Sequence, residues 1–228
     1  MGHRLVHAAL LALVVLVLGG PAGAQSGPAA SARATGVSVV VPGGKGGSAA
    51  TVEAPPRAVA SIGSWSYGDG AVGVGSTSTA AGAGAGTGGS ASSSATVRSV
   101  SLFGGEIRVD AVVAKASARA SGSGAAGSLA ESSLSGLVVL GEPVEPAANA
   151  RLSLSDWGYV IVLEQAVVRR DDEQRGFRGF VTGLHVVLTK EHGGLPAGTE
   201  VRVGYAEAAA SAPRPKPAQE PEPPTSGG

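Results

Sequence analysis

Cysteine is absent from the 228 residues of this chain, and that absence excludes several classes of protein at once. No disulfide can cross-link the fold, and no thiolate can bind zinc, hold an iron–sulfur cluster or act as a catalytic nucleophile. A folded chain of this composition must therefore be stabilised by its buried side chains.

Aromatic residues make up 4% of the chain and charged residues 15%, so a core must consist mainly of Val, Leu, Ile and Ala. The 17 basic and 17 acidic residues cancel, which leaves no net field to attract nucleic acid or an anionic membrane. We therefore expect no nucleic-acid partner.

The N-terminal segment has the pattern of a secretory signal. Residues 5–18 are almost wholly apolar, and Gly19-Gly20-Pro21 breaks the run. Ala22-Gly23-Ala24 then supplies the small-x-small pattern of a signal-peptidase site, which predicts a signal peptide over residues 1–24. Because a bilayer span needs about 20 apolar residues, we expect cleavage rather than anchoring and no transmembrane span in the mature chain. The expected location is extracellular or at the cell envelope.

Composition divides the remaining chain into three parts. Residues 25–56 are rich in Ala, Gly, Ser and Pro and read as a low-complexity linker, with Val37–Val41 as an edge strand. Residues 57–208 form the expected all-β domain. Residues 209–228 contain repeated Pro with balanced charge, which predicts a disordered tail.

A β-hairpin is the centre of the predicted domain. The apolar runs Tyr159–Val168 and Phe177–Thr189 are dominated by β-branched residues and flank the charged segment 169–176. Alternation in the second run predicts that one face points to the core: Phe180, Thr182, Leu184, Val186 and Leu188.

Alternating segments with turn residues between them predict about nine or ten strands, and no stretch has a helical period with caps. The fold class is therefore all-β: an antiparallel sandwich, a barrel-like sheet or a solenoid sheet. From Ile107 onward every second residue is apolar and is expected to face inward: Ile107, Val109, Ala111 and Val113. The next position in that alternation is Lys115, a charged residue. This slip predicts a bulge near Val112-Val113.

Catalytic and metal-binding patterns are missing. His185 and His192 are seven residues apart with no third ligand, and Asp171-Asp172-Glu173 lacks the alternation of a calcium loop. No G-x-S-x-G elbow is present. We expect no enzyme activity, no cofactor and no metal.

Two W-x-Y pairs are the one pattern in the sequence that combines aromatic rings with nearby carboxylates. Trp65 and Tyr67 precede Asp69, and Trp157 and Tyr159 follow Asp156. On a strand each pair lies on one face, where rings could stack on sugars while carboxylates bind hydroxyls. The alternative is that these rings fill the ends of a core short of bulk. The six residues are the candidate glycan-binding site.

Three segments resemble the choice-of-anchor P family of secreted actinobacterial surface proteins. They are Ser101–Ile107 with Asp110–Val112, then Leu163–Gln165, then Gly183–Val186. The resemblance covers residues 92–206 and implies an exported β domain of unassigned activity, attached by variable C-terminal devices. It supplies no catalytic residues, and this chain has no recognisable C-terminal anchor.

Two functional hypotheses and a third for assembly follow. The first is a non-enzymatic β domain with a structural or interaction role at the cell surface. The second is a carbohydrate-binding module or wall-active hydrolase that uses the W-x-Y pairs. The third is self-association through exposed edge strands. The expected partners are accordingly envelope polysaccharide or a second copy of the chain.

Overall fold

The structure is a computed structural model that describes residues 29–84, 88–122, 124–170 and 175–212. The predicted signal peptide lies outside the described residues, as do the tail from residue 213 onward and the hairpin tip at 171–174. The described residues are almost entirely β-strand, with one 3₁₀ turn at Phe103–Gly105. None of them forms a helix long and apolar enough to cross a membrane. The all-β prediction is confirmed.

Sixteen strands lie in the described ranges, more than the nine or ten expected. In chain order they are β1 (Ala29–Val40), β2 (Gly47–Ala54), β3 (Ala58–Ile62), β4 (Trp65–Tyr67), β5 (Val72–Val74), β6 (Ser76–Gly84), β7 (Ser90–Leu102), β8 (Ile107–Ser121), β9 (Gly124–Ser128), β10 (Ser133–Ser135), β11 (Val138–Val139), β12 (Glu142–Pro143), β13 (Ala150–Leu154), β14 (Gly158–Arg170), β15 (Gly176–Leu188) and β16 (Glu200–Ser211). The surplus comes from short segments such as β11 and β12, which have two residues each.

The strands form two antiparallel sheets that pack face to face as a sandwich. The six-stranded sheet has the order β13-β14-β15-β16-β1-β2, and the ten-stranded sheet follows β12-β11-β8-β7-β5-β4. In the larger sheet β9 and β10 also pair with β8, and β6 joins β7 to β3. Strands β15, β16 and β1 cover β6, β7 and β8. Of the three architectures that the sequence allowed, the structure has the sandwich.

Strand β1 lies inside the six-stranded sheet, between β16 and β2. It pairs with β16 from Ala29 opposite Ser211 to Val40 opposite Glu200. The prediction of a linker over residues 25–56 is therefore wrong for residues 29–54, and β16 continues past the predicted domain end at 208. The buried alternating residues in this part of β1 are alanines such as Ala32 and Ala34. Because linkers are also rich in alanine, composition alone did not distinguish this strand from a linker.

The core between the sheets has two parts of different side-chain size. One cluster contains Val, Leu and Ile with Phe103 and Trp157, and the other consists mainly of alanine. In the alanine cluster the Ser93 hydroxyl of β7 donates a hydrogen bond to the Glu207 carbonyl of β16, at 2.8 Å. Sandwich cores are about 10 Å thick when filled by larger side chains. Since a serine spans the gap to the facing backbone, the sheets lie closer together at this end.

A crease crosses the six-stranded sheet between the two core clusters. Leu163, Gly204 and Ala50 have positive φ angles of 45°, 69° and 52° on β14, β16 and β2. Gly183 of β15 and Gly36 of β1 lie between them in register, and ladder pairing skips this row. Only glycine adopts φ near 69° without cost, so two of the three kinks carry backbone strain. The inward and outward alternation of each strand changes phase at the crease. A residue that the alternation on one side would place in the core therefore lies on the outer face on the other side.

The ten-stranded sheet changes phase in the same way. Strand β8 buries Ile107 and Val109 and then Val112 and Ala114, so its phase shifts at Asp110-Ala111. The shift lies opposite Ser99 of β7, whose φ is 55°, and the register of the two strands is the same on both sides. The predicted phase slip is confirmed, but its position is two residues earlier and its cause is a kink rather than an inserted residue.

Candidate functional site

The first W-x-Y pair lies at the rim of the sandwich. The rings of Trp65 and Tyr67 are stacked with centroids 6.1 Å apart, and both are half-buried. The Tyr67 hydroxyl donates a hydrogen bond to the Lys45 carbonyl at 2.6 Å. A Cβ at Gly47 of β2 would lie 2.9 Å from the Tyr67 ring, so these rings close the β2 edge of the sandwich.

The second W-x-Y pair is split by the fold. Trp157 is 7% exposed and belongs to the core. The His192 ring stacks on it with centroids 3.9 Å apart, and Phe103 contacts it edge-on. Tyr159 lies on the outer face of β14 beneath the Arg151 guanidinium, which is 3.6 Å from the ring centroid. Trp157 therefore has no open face for a sugar, and at this position the core-filling alternative holds.

The two carboxylates assigned to the glycan site lie in two different turns. Asp69 lies in the turn after β4, with φ of 51°. Asp156 forms an exposed ion pair with Lys190 at 2.7 Å, and the Lys190 hydrogen bond lowers the pKa of Asp156. The Trp65 pair lies against β2, at one edge of the six-stranded sheet, whereas Trp157 immediately precedes β14, next to the opposite edge strand β13. The structure does not bring the six predicted residues together.

A different set of side chains forms a groove on the outer face of the six-stranded sheet, at the crease. Its volume is about 400 Å³. It crosses β14, β15 and β16 and is lined by Glu164, Val168, Arg178, Phe180, Thr182, His185, Arg202, Tyr205 and Glu207. The outer face of a sandwich usually faces water, yet Thr182 is 1% exposed and His185 is 9% exposed. The face is therefore recessed where the crease bends it.

His185 lies between two carboxylates at one end of the groove. Its Nδ1 is 2.9 Å from Glu164 Oε2, and its Nε2 is 3.2 Å from Glu200 Oε2. Arg202 also donates to Glu200, at 2.6 Å. Both ring nitrogens can donate only in the imidazolium form. The arrangement therefore holds the ring in place through two acceptors on opposite sides, an unsuitable geometry for one metal ion.

Glu207 and Arg178 form the other end of the groove. The Arg178 guanidinium donates two hydrogen bonds of 3.0 Å to the Glu207 carboxylate, and the Tyr205 hydroxyl donates a third. Burial would raise the pKa of Glu207, but the hydrogen bonds from Arg178 and Tyr205 lower it overall. Burial also raises the pKa of Tyr205 far above its ordinary value, and the bond to Glu207 adds to that shift. Glu207 is therefore ionised and Tyr205 neutral at physiological pH.

Phe180 and Tyr205 supply the apolar surface of the groove. Their rings are stacked with centroids 6.0 Å apart and an interplanar angle of 27°. Phe180 and Thr182 were predicted to face the core with Leu184, Val186 and Leu188. The last three do face the core, but the crease reverses the phase between them and Phe180 and Thr182, which lie on the outer face.

Thr182 is on the floor of the groove, in one cross-strand row with Glu164 and Tyr205. Its hydroxyl has no hydrogen-bond partner among the described residues. The buried side-chain oxygens without a partner among the described residues are those of Thr77 and Thr199, so the Thr182 oxygen is open to the groove. The groove thus contains one polar group whose hydrogen bond an incoming ligand could complete.

The titratable groups of the groove are engaged with one another. Both ring nitrogens of His185 contact carboxylates and form no hydrogen bond with Thr182. The Glu207 carboxylate, whose pKa is lowered, is paired with Arg178. Among the described residues no group of three or more His, Asp or Glu side chains is arranged to hold a metal ion.

A second concavity, of about 390 Å³, lies on the ten-stranded sheet and serves as a comparison. Ser, Ala and Gly residues such as Ser92 and Ala80 line most of it, together with the exposed Lys115–Glu131 ion pair. None of its lining residues is aromatic. The groove at the crease is therefore the better candidate site.

Comparisons of the chain with protein-family models, with curated proteins and with solved structures found no match. The resemblance to the choice-of-anchor P family accordingly stays a prediction, and function has to be inferred from the site itself.

One spacing of polar residues in the sequence indicates this groove, but the regular alternation of a strand does not reveal it. In β16 the residues Glu200, Arg202, Tyr205 and Glu207 are polar or amphipathic with a spacing of two, three and two. A regular strand would place Tyr205 and Glu207 on the face opposite Arg202. The positive φ of Gly204 reverses the phase and puts all four on one face.

Proposed function

We propose that this protein is an exported, non-enzymatic β-sandwich domain that works by binding at the cell envelope, and that the groove at the crease is its contact surface. The location follows from the signal pattern in residues 1–24. The binding role is supported chiefly by one observation: an outer sheet face recessed around stacked rings and an unpartnered hydroxyl.

The paired charges of the groove support the same role. Each of its carboxylates is hydrogen-bonded to Arg178, His185 or Arg202. These bonds hold the side chains that line the groove in position before a ligand binds. Preorganised polar groups beside apolar surface are typical of ligand sites. An ordinary solvated face needs no such network, because isolated surface ion pairs contribute little stability.

Export can be tested by expressing the full chain in an actinobacterial host and sequencing the N-terminus of the extracellular product. We expect the mature protein to begin at Gln25. A product that stays in the cytoplasm with an intact N-terminus would contradict the proposed location.

Binding can be tested by pull-down of the mature chain, residues 25–228, with isolated actinobacterial cell walls. We expect wild-type protein to sediment with the walls and Phe180→Ala to lose about tenfold in affinity, since a contacting aromatic ring contributes more than 1 kcal/mol. Tyr159→Ala is the matched control, because that ring lies on the same sheet face but outside the groove. Failure of the wild-type protein to bind walls would refute the proposed function.

The Trp65–Tyr67 rim is a second candidate surface, because its two stacked rings are half-exposed. If wall binding is lost in Trp65→Ala and retained in Phe180→Ala, the glycan-binding hypothesis holds at the rim and the groove assignment is wrong. Light scattering at high concentration tests self-association through the free sheet edges in the same preparations. A strict monomer would remove that role.

A further inference from the structure

We infer that the groove at the crease binds a neutral, hydroxyl-rich polysaccharide chain, with Phe180 and Tyr205 as the stacking surface and Thr182 and Glu164 as hydrogen-bonding groups. This inference rests on the proposed binding function and specifies its ligand. The site differs from the one that the W-x-Y pairs predicted.

The balance of charge in the groove selects a neutral ligand. Glu164 and Glu200 face the His185 ring, Glu200 also accepts from Arg202, and Glu207 is paired with Arg178. An anionic ligand would be repelled by three carboxylates, and a cationic ligand by two guanidinium groups. Since the charges satisfy one another, neither kind of ion gains a free partner.

A hydroxyl-rich ligand can use what these pairs leave unsatisfied. Each carboxylate has lone pairs beyond those used by its partners, and each guanidinium has further N–H donors. The Thr182 hydroxyl can both donate and accept. Hydroxyl groups match both kinds of partner without adding charge.

The apolar surface matches the other side of a sugar ring. Phe180 and Tyr205 present neighbouring rings, and Val168, which is 54% exposed, borders the groove beside them. Sugar rings carry C–H groups on their faces and hydroxyls at their edges, so one unit can pack on the rings while its hydroxyls reach Thr182 and Glu164.

The extent of the recess favours a chain over a single sugar. A third concavity, of about 510 Å³, shares Val168, Arg178 and Glu207 with the groove and continues toward the start of β1 and the end of β16. Its remaining lining includes small residues such as Ser31, Ala209 and Ser211. The described lining thus extends beyond the groove over β15 and β16, an extent that suits a polymer of several units.

The test is isothermal titration calorimetry of the mature chain with linear neutral hexasaccharides of glucose, mannose and galactose. A carboxylated hexamer (oligogalacturonate) and a permanently cationic hexamer (trimethylated chitosan hexaose) are the charged arms. We expect at least one neutral hexamer to bind, and both charged hexamers to bind at least about tenfold more weakly.

Thr182→Val is the decisive variant, because it removes only the hydroxyl and keeps a β-branched side chain. We expect Kd to rise about fivefold to tenfold for the bound neutral hexamer, as for one lost hydrogen bond. Thr96→Val on the ten-stranded sheet is the matched control and should leave Kd unchanged. Thermal melting of each variant establishes that it is folded.

Three outcomes overturn the inference. They are tighter binding of a charged hexamer, an unchanged Kd in folded Thr182→Val, and no binding of any neutral hexamer. If the last occurs while the protein still sediments with cell walls, the proposed function stands and only the ligand assignment fails. If neither walls nor saccharides bind, both fail.

Discussion

Close packing at the crease makes a sharp prediction about two residues that face each other across the sandwich. Val112 of β8 is fully buried, and its Cγ1 occupies the space where a Cβ at Gly183 of β15 would lie. Gly183 lacks the positive φ of Gly204, so its main obstacle to alanine is the Val112 side chain, with a lesser contact of 3.1 Å to the Val203 carbonyl oxygen. Gly183→Ala and Val112→Ala therefore compete for one volume.

The magnitudes follow from the removed and added methyl groups. Val112→Ala deletes two buried methyl groups worth about 0.8 kcal/mol each, and the residual cavity raises the cost to about 2–3 kcal/mol. Gly183→Ala overfills the site and costs about 1–3 kcal/mol. In the double variant the methyl group added at position 183 takes the space that the Val112 side chain vacated. We expect the double variant to cost at least about 1 kcal/mol less than the sum of the single variants.

Urea unfolding followed by circular dichroism measures all four free energies of unfolding. Val72→Ala combined with Gly183→Ala is the control pair, because the equally buried Val72 pairs with Leu102, five residues along β7 from the Val97 that pairs with Val112. Additive costs for Val112→Ala and Gly183→Ala would refute the packing assigned to the crease. So would a Gly183→Ala variant as stable as the wild type.

Three further predictions concern other sites. Thr77→Val should stabilise the protein by about 1 kcal/mol in urea unfolding, since the Thr77 hydroxyl is buried and has no partner among the described residues. Thr79→Val should not, because the Thr79 hydroxyl donates to the Ala60 carbonyl, and equal effects of the two would contradict this reasoning. The pKa of Glu207 is lowered from its ordinary value of 4.5, so its stabilising contribution is complete above that value and lost as the pH falls through the folded-state pKa. Between about pH 6 and pH 3 the wild type should therefore lose more stability than Glu207→Gln, and parallel losses would be inconsistent with the Arg178 pairing. Trp157→Ala should cost about 3–5 kcal/mol by the same assay, as expected for a buried ring, and a cost below about 1 kcal/mol would place that ring outside the core.

Regular alternation made much of the fold predictable. Strands β14 and β15 pair as the expected hairpin, and Leu184, Val186 and Leu188 face the core as their period indicated. These residues have large aliphatic side chains, so the residue type alone indicates that each is buried. Where the side chains are alanine, as in β1, the same alternation leaves no such signal.

The crease was not predictable, because it depends on backbone angles that the residue types do not require. Positive φ angles favour glycine, but of the three residues that adopt them in the crease only Gly204 is a glycine. The other two are Leu163 and Ala50. The reversal decides which face Phe180, Tyr205 and Glu207 occupy, so the groove could not be found by a strict period of two. The W-x-Y pattern misled for a different reason: Trp157 precedes β14 and lies in the core, so it does not share a strand face with Tyr159.

Nuclear magnetic resonance of labelled mature protein, titrated with solubilised wall polysaccharide, tests the central claim most directly. We predict that the shifted amide signals cluster at Thr182, His185, Tyr205 and Glu207, and that the indole signal of Trp65 stays in place. Shifts centred on Trp65 and Tyr67, or no shifts at all, would contradict the claim that the groove at the crease is the binding surface.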